Sequence, residues 1–461
     1  MQFTRFVGNR NRNSIYQRVL HKRAVVKMDL RPSEGNLTLD FKIDGEMLAM
    51  PLNPVVRDVL DLAAMVYTAD ELCARSSAPD RWTRRFDGVI PVRRPALWRN
   101  ASGQLSDLLG FLSGDVFAFE WSPTKSVPSL RNHRGELPQG FDTVCLFSGG
   151  ADSLVGAYEL LENGKSVILV GHQADGITAS TQDHVMRFFK RRFDDKVAFV
   201  QARVARSPRA NPDFDLGTKV ETTHRSRSFL FLALAVAVAS AAEIDEIVIP
   251  ENGLIALNPP LNVSRVGTLS TRTAHPRFIS DFALWVCAIK AFQGRIWNPF
   301  LYMSKTDVVS RAARPLRPVL RQTLSCSHLG RSRWTGFRGH HCGYCIPCLY
   351  RRVAFAELNL DDPADYYRNV FTRFGSLSAT ERSDVRALAS FANRVRSMTP
   401  AQRMSAPLSH GTCDPHMLSI VGPPVDDPYA AWSDMLDRWA AGFLEQARRW
   451  SSRDVARRLN I

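Results

Sequence analysis

Two groups of residues have the types and spacing to do chemistry. The first is Ser148-Gly149-Gly150-Ala151-Asp152-Ser153, between the short apolar run "DTVCLF" (142–147) and the helix-like "DSLVGAYELLENG" (152–164). A helix start offers unpaired N–H groups and a partial positive charge. Gly149 and Gly150 let an anion approach that backbone, and Ser148 and Ser153 add hydroxyl donors, a combination suited to pyrophosphate. Asp152 falls in the first helical turn, where it caps the helix or holds Mg²⁺ through hard oxygen ligands. The turn lacks the Gly-Lys-Ser/Thr ending of a Walker A loop. A plain tight turn that needs glycine for its φ angles is the alternative. The second group is Cys326, Cys342, Cys345 and Cys348, with fifteen residues inside the first interval and two inside each of the others. Four thiolates so spaced close a tetrahedral zinc site; an iron–sulfur cluster or redox-active, sulfur-carrying thiols are the other uses of such a set. Cys73, Cys145, Cys287 and Cys413 are scattered and read as packing residues.

The elements that must position these residues alternate between strand and helix over 141–360. "SVILVGH" (166–172), "KVAFVQAR" (196–203) and "EIVIP" (246–250) read as strands, and "TASTQDHVMRFFKRRF" (178–193) and "RSFLFLALAVAVASAAE" (227–243) as helices. Apolar strands alternating with helices predict an α/β fold, a doubly wound parallel sheet with ligands at the carboxyl ends of its strands. The glycine turn follows the first strand and so lies at that edge. The apolar stretch 229–242 is shorter than the ~20 residues of a membrane span and reads as a buried helix.

Around this unit, residues 1–28 hold no Asp or Glu and several Arg and read as a basic arm, with a mitochondrial transit peptide as the alternative. Residues 29–121 predict an α+β N-terminal domain, including "NLTLDFKI" (36–43), whose Leu37, Leu39, Phe41 and Ile43 share a face. The Pro/Ser/Gly-rich stretch 122–140 reads as a linker. Residues 361–461 predict a helical C-terminal region with Trp432, Leu436, Trp439 and Phe443 as its core stripe. The chain has 461 residues, 45% hydrophobic and 23% charged, which excludes wholesale disorder. Its formal net charge of +15 favours anionic partners such as nucleotide, nucleic acid or an acidic protein face. Clustered cysteines without a secretory signal point to a cytoplasmic chain with no membrane partner.

"SGGADS" after a strand resembles the PP-loop of ATP pyrophosphatases, a PP-loop/HUP-like fold. With the Cys…Cys-x-x-Cys-x-x-Cys knuckle downstream, residues 142–356 resemble the 7-cyano-7-deazaguanine synthase (QueC) family. "RSFLFLALA" (227–235) is similar to the family's Gly-Arg-Asn-led helix, with Arg227 at the arginine position. "NPFLYMSKTDVV" (298–309) is similar to its lysine-bearing late strand, here with Lys305, and "HCGYCIPCLYR" to its zinc segment. The resemblance implies ATP-dependent activation of a deazapurine carboxylate, 7-carboxy-7-deazaguanine, then an amide with ammonia and dehydration to a nitrile. It implies that Ser148, Gly149, Gly150, Asp152 and Ser153 hold the phosphates and Mg²⁺, that Arg227 and Lys305 act with Asp152 in adenylyl transfer, and that Zn²⁺ sits on the four cysteines. The family's Tyr-Pro-Asp-Cys-Arg-like segment is replaced here by the longer 250–278, and Ser226 and Ser228 stand in place of its glycine and asparagine. Glu251, Asn252, Arg265, Arg272 and His275 rebuild an acceptor pocket there or cap turns. The added flanks look like the QueC-like proteins of bacterial anti-phage operons, the QatC branch in particular, which implies a partner protein's N-terminus as the amine. A PP-loop tRNA-modifying enzyme and a non-enzymatic ATP-sensing subunit are the rival readings.

Overall fold

The computed structural model describes residues 4–9, 25–31, 35–125, 135–173, 175–206, 221, 223–258, 272–329, 337, 339, 341–405 and 413–461. The strands are β1 (Thr4–Asn9), β2 (Val25–Asp29), β3 (Leu37–Ile43), β4 (Glu46–Met47), β5 (Arg85–Val92), β6 (Val116–Pro123), β7 (Thr143–Leu146), β8 (Val167–His172), β9 (Val197–Arg206), β10 (Glu246–Val248) and β11 (Arg295–Trp297). The helices up to the cysteine segment are α1 (Pro54–Leu72), α2 (Pro95–Ser113), α3 (Ala151–Glu162), α4 (Gly176–Phe193), α5 (Arg227–Ala241), α6 (Gly253–Leu257), α7 (Pro276–Ala288), α8 (Lys305–Arg311), α9 (Ala313–Leu320) and α10 (Ile346–Glu357). The C-terminal region adds α11 (Ala379–Ser397), α12 (Pro400–Ser405), α13 (Pro415–Val421), α14 (Pro428–Trp450) and α15 (Arg453–Leu459).

The larger sheet runs β11-β10-β7-β8-β9-β3-β4. From β11 to β9 every pairing is parallel, while β3 runs antiparallel to β9 and β4 antiparallel to β3. All six residues of β8 are buried, as a strand covered on both faces requires. Helix α5 is apolar nearly all round and sinks into the layer beside β7, β8 and β10. Among the described residues no helix is long and apolar enough to cross a membrane.

A second sheet, β2-β1-β5-β6, is parallel throughout. It corrects two boundaries drawn from the sequence. The described part of 1–28 is not an arm: Phe6 and Val7 of β1 are fully buried and the strand lies inside the sheet. The basic composition of that segment hid a short apolar core. Nor do residues 29–121 stand apart, because β3 and β4 extend the larger sheet through seven residue pairs between β3 and β9. Within 122–140, β6 runs to Pro123 and Gly135 hydrogen-bonds with Met47 and Ala49; residues 126–134 lie outside the described residues.

A buried ionic network joins the N-terminal region to the start of α5. Asp115 accepts from Arg75 Nη1 at 2.9 Å, Arg75 Nη2 at 2.8 Å and Arg84 Nη2 at 2.7 Å. Asp70, on α1, pairs with Arg84 and accepts from the backbone N–H and the hydroxyl of Ser226, each at 2.8 Å. Burial works against the Asp70 charge, but Arg84 and the Ser226 donors hold its carboxyl below the usual range. At the other end, Trp432 of α14 is fully buried and its indole N–H donates to Leu301 O at 2.9 Å, fixing the C-terminal helices behind the segment that leads to Lys305.

Candidate functional site

The glycine turn connects β7 to α3. Gly149 adopts φ +81°, which favours glycine. A Cβ on Gly150 would come within 3.2 Å of Leu324 O and of Ser148 Oγ, so the backbone there is approached closely on both sides. Ser153 Oγ donates to Gly150 O at 3.0 Å and lies 3.3 Å from Ser148 Oγ, which gathers the two hydroxyls at the helix start. No side chain caps α3. Its first N–H groups therefore face the turn as an anion cradle.

Asp152 is 4% exposed and is the centre of the polar cluster. Its Oδ2 accepts from Lys305 Nζ at 2.8 Å and from Asn252 Nδ2 at 2.7 Å. Its Oδ1 is buried without a hydrogen-bond donor. The half-buried Glu251 carboxyl lies beside it, with Oε1 3.3 Å from Asn252 Nδ2. Burial opposes the Asp152 charge, yet the Lys305 charge and the hydrogen bonds from Lys305 and Asn252 hold its carboxyl below the ordinary range. Burial, and then the Asp152 charge, push Glu251 well above it. Adjacent like charges thus drive the two carboxyls' proton affinities apart, Glu251 up and Asp152 down. A hard cation at Oδ1 would satisfy the orphaned oxygen and favour the ionised form of both carboxyls.

Each partner is held by its own element. Asn252 is the N-cap of α6, accepting from Ile255 N at 3.2 Å. Lys305 is the first residue of α8, behind a capping box made by Ser304 and Asp307. Asn298 fixes Glu251 from both sides: its Oδ1 accepts from Glu251 N at 3.3 Å and its Nδ2 donates to Glu251 O at 2.7 Å. Sequence reasoning missed Asn298, although it opens the same segment that carries Lys305; a fully buried Asn is the signal only once burial is known.

The remaining candidates lie elsewhere. Arg227 is exposed at the start of α5, its guanidinium 5.5 Å from the Phe231 ring, and its neighbours are on the β8 side of the edge rather than at Asp152. Arg272 lies 3.8 Å over the Phe111 ring and donates to Phe111 O at 2.7 Å. His275 caps α7, accepting from Arg277 N at 3.2 Å, with its ring 5.1 Å from Phe111. Stacking on Phe111 and capping an apolar helix end put these two at the α2–α7 interface, in keeping with the turn-capping alternative. Arg265 lies outside the described residues. Glu251 and Asn252 are the members of that set which meet Asp152.

The four knuckle cysteines do converge. Their sulfurs lie within 4.8 Å of one another, and Cys342 Sγ is 3.9 Å from Cys348 Sγ. Four sulfurs each about 2.3 Å from one zinc ion would be about 3.8 Å apart, so the set fits a single tetrahedral ion. An iron–sulfur cluster, whose cysteines sit on different irons, needs a wider spread. Cys326 Sγ accepts from the N–H groups of His328 and Cys342, each at 3.3 Å, as a thiolate ligand does. The knuckle also reaches the glycine turn. Arg351, fully buried on α10, donates to Thr323 Oγ1 at 2.7 Å and to Arg321 O at 2.9 Å. One residue on, Leu324 N donates to Gly149 O at 3.0 Å.

The family described as "Queuosine biosynthesis protein QueC" matches residues 273–359, the stretch holding Lys305 and all four cysteines. The chain is QueC-like. It is 34% identical over 74 residues to the 7-cyano-7-deazaguanine synthase 1 of Mesorhizobium japonicum, covering 16% of this chain and 27% of that protein. It is 35% identical over 97 residues to the synthase of Methanoculleus marisnigri, 20% of this chain and 39% of that one. With the synthase of Methanothrix thermoacetophila the match is 27% identical over 239 residues, 48% of this chain and 97% of the relative. The chain thus spans about a quarter to two-fifths of the length of the first two relatives. A ketoreductase domain from the bacillaene assembly line aligns with TM-score 0.24 and 9% identity over 69% of this chain and 86% of that one, too low to inform the fold.

Proposed function

We propose that the protein adenylates a carboxylate with ATP, releasing pyrophosphate, and passes the acyl group to an amine with release of AMP. The observation that carries this is the convergence of Asp152, Glu251, Asn252 and Lys305 beside an uncapped, glycine-lined helix start. Ser148, Gly149, Gly150 and Ser153 would hold the β- and γ-phosphates as the leaving pyrophosphate. The unpartnered Asp152 Oδ1, with Glu251, would hold Mg²⁺, which neutralises phosphate charge. Lys305 would stabilise the charge that develops during adenylyl transfer, a role that preorganised cations fill best in buried sites. Arg227, one strand away, would act on the acceptor side. Zn²⁺ on Cys326, Cys342, Cys345 and Cys348 would have no open coordination position and would brace the 320–326 segment against Gly149.

The QueC relatives support 7-carboxy-7-deazaguanine, or a close analogue, as the carboxylate. With ammonia as the amine the product line leads to the nitrile of a 7-cyano-7-deazaguanine synthase. With a partner protein's N-terminus it ends at an amide conjugate, the anti-phage variant to which the flanking regions point. The test is product analysis with ATP, Mg²⁺, the carboxylate and either amine source. AMP with pyrophosphate, lost in Asp152→Asn, supports the proposal; ADP with phosphate, or turnover that survives Asp152→Asn, overturns it.

A further inference from the structure

His172 ends β8, one strand away from the glycine turn. The register pairs Leu146 with Val170, so Ser148 and His172 are level at the sheet's carboxyl edge, about 5 Å apart strand to strand. The imidazole is 6% exposed, and neither ring nitrogen has a hydrogen-bond partner among the described residues. A buried polar ring left so is rare in a native fold and calls for a ligand or a solvent molecule. Burial, reinforced by the nearby Arg227 charge, lowers its pKa to about 4. The ring is therefore neutral, one nitrogen a donor and the other an acceptor.

Its surroundings come from two regions of the chain. Tyr67, on α1, stands edge-on to the imidazole at 5.7 Å, and Phe231, on α5, is 5.7 Å away on a tilted plane. Glu71, one turn along α1, pairs with Arg206 Nη2 at 3.3 Å and lies 3.4 Å from His224 Nδ1. Arg227, exposed at the start of α5, adds a positive charge near the ring, and Glu71 a negative one. A cation does not suit the place. Arg227 adds positive charge beside the ring, Glu71 is already paired with Arg206, and among the described residues only the four cysteines bring three or more ligand atoms within 4.8 Å of one another. Aromatic walls around one donor and one acceptor match the edge of a planar heterocycle.

We propose that His172, Tyr67 and Phe231 form a subsite for a purine-like ring, so that α1 of the N-terminal region is a wall of the active site. This rests on the adenylation reading above and extends it to where a ring sits. Two rings of that chemistry take part in the reaction: the base of the nucleotide and the heterocycle of the carboxylate substrate.

The test uses the full-length protein and three probes: adenosine, 7-carboxy-7-deazaguanine and inorganic pyrophosphate. By calorimetry, His172→Leu should weaken one of the two heterocycles at least tenfold, His172→Gln should recover part of that loss, and pyrophosphate affinity should stay within twofold. Hydrogen exchange on the unaltered protein avoids any folding defect in the variants. The heterocycle that uses the subsite should slow exchange in the α1 peptide spanning Tyr67–Glu71, and pyrophosphate should not. Protection by adenosine assigns the nucleotide base; protection by the deazaguanine assigns the substrate ring. Heterocycles that bind with no α1 protection and no dependence on His172 overturn the subsite and leave the adenylation reading standing. Failure of ATP and both heterocycles to bind overturns both.

Discussion

Replacing Lys305 by methionine keeps most of the side chain's length and removes its charge from a pair that is nearly dry. The Lys305 side chain is 9% exposed and that of Asp152 6%, with 2.8 Å between Nζ and Oδ2. Removing one partner of such a pair costs about 3–5 kcal/mol, because the other charge is left buried. Protonation of Asp152 offers an escape. Taking up a proton at pH 7 against an ordinary carboxyl pKa of about 3.9 spans about three pH units, or about 4 kcal/mol, so the escape does not lower the bill. The expected loss at pH 7 is about 3–4 kcal/mol by urea unfolding. The pH dependence follows from the sign of the shift. Asp152 is held below its unfolded pKa, so its contribution is complete above pH ~4 and fades as pH falls through the folded value. The gap between the two proteins should therefore narrow below pH ~4. Adenylation by Lys305→Met should fall about 10²–10³-fold, the usual cost of removing one preorganised charge. A loss under about 1 kcal/mol at pH 7, or a gap that does not change with acid, would refute the reasoning.

Binding of Mg²⁺ and ATP should release protons from the Asp152–Glu251 pair, since burial and the Asp152 charge raise the Glu251 pKa well above the ordinary range; calorimetry in buffers of different ionisation enthalpy reads the release, and Glu251→Gln should abolish it. The protein should carry one zinc per chain by mass spectrometry, and Cys348→Ser should both lose the metal and weaken pyrophosphate binding, because the 320–326 segment donates from Leu324 to Gly149. Asp115→Asn should cost about 3–5 kcal/mol by denaturant unfolding, since Arg75 and Arg84 would lose the carboxylate they share in the core.

The site's local pieces were legible because their signals are local. A strand, a Ser-Gly-Gly turn and a helix lie within twenty-five residues, and the cysteine spacing carries the knuckle. Lys305 came through resemblance to a lysine-bearing segment. What stayed hidden is long-range. Asn298 acts by two hydrogen bonds to Glu251, 47 positions away. Leu324 contributes only its backbone N–H, which leaves no trace in residue type. The alternating face of 36–43 was readable, yet nothing in it says that the strand joins β9 rather than its neighbours in sequence. Arg272 and His275 looked like ligand residues because polar types near a strand end do; a cation–π contact and a helix cap use the same types. His172 was read only as the last residue of a strand, and its meaning lies in two nitrogens that the fold leaves unpaired.

The central claim is that Asp152 organises cleavage of ATP between its α- and β-phosphates. The most direct measurement is a single-turnover reaction of the zinc-loaded protein with ATP labelled at the α-phosphate, Mg²⁺, 7-carboxy-7-deazaguanine and an amine, beside the same reaction with Asp152→Asn. The account predicts label in AMP, or in an acyl-adenylate when the amine is withheld, and none with Asp152→Asn. Label in ADP, or AMP formed equally by both proteins, would contradict it.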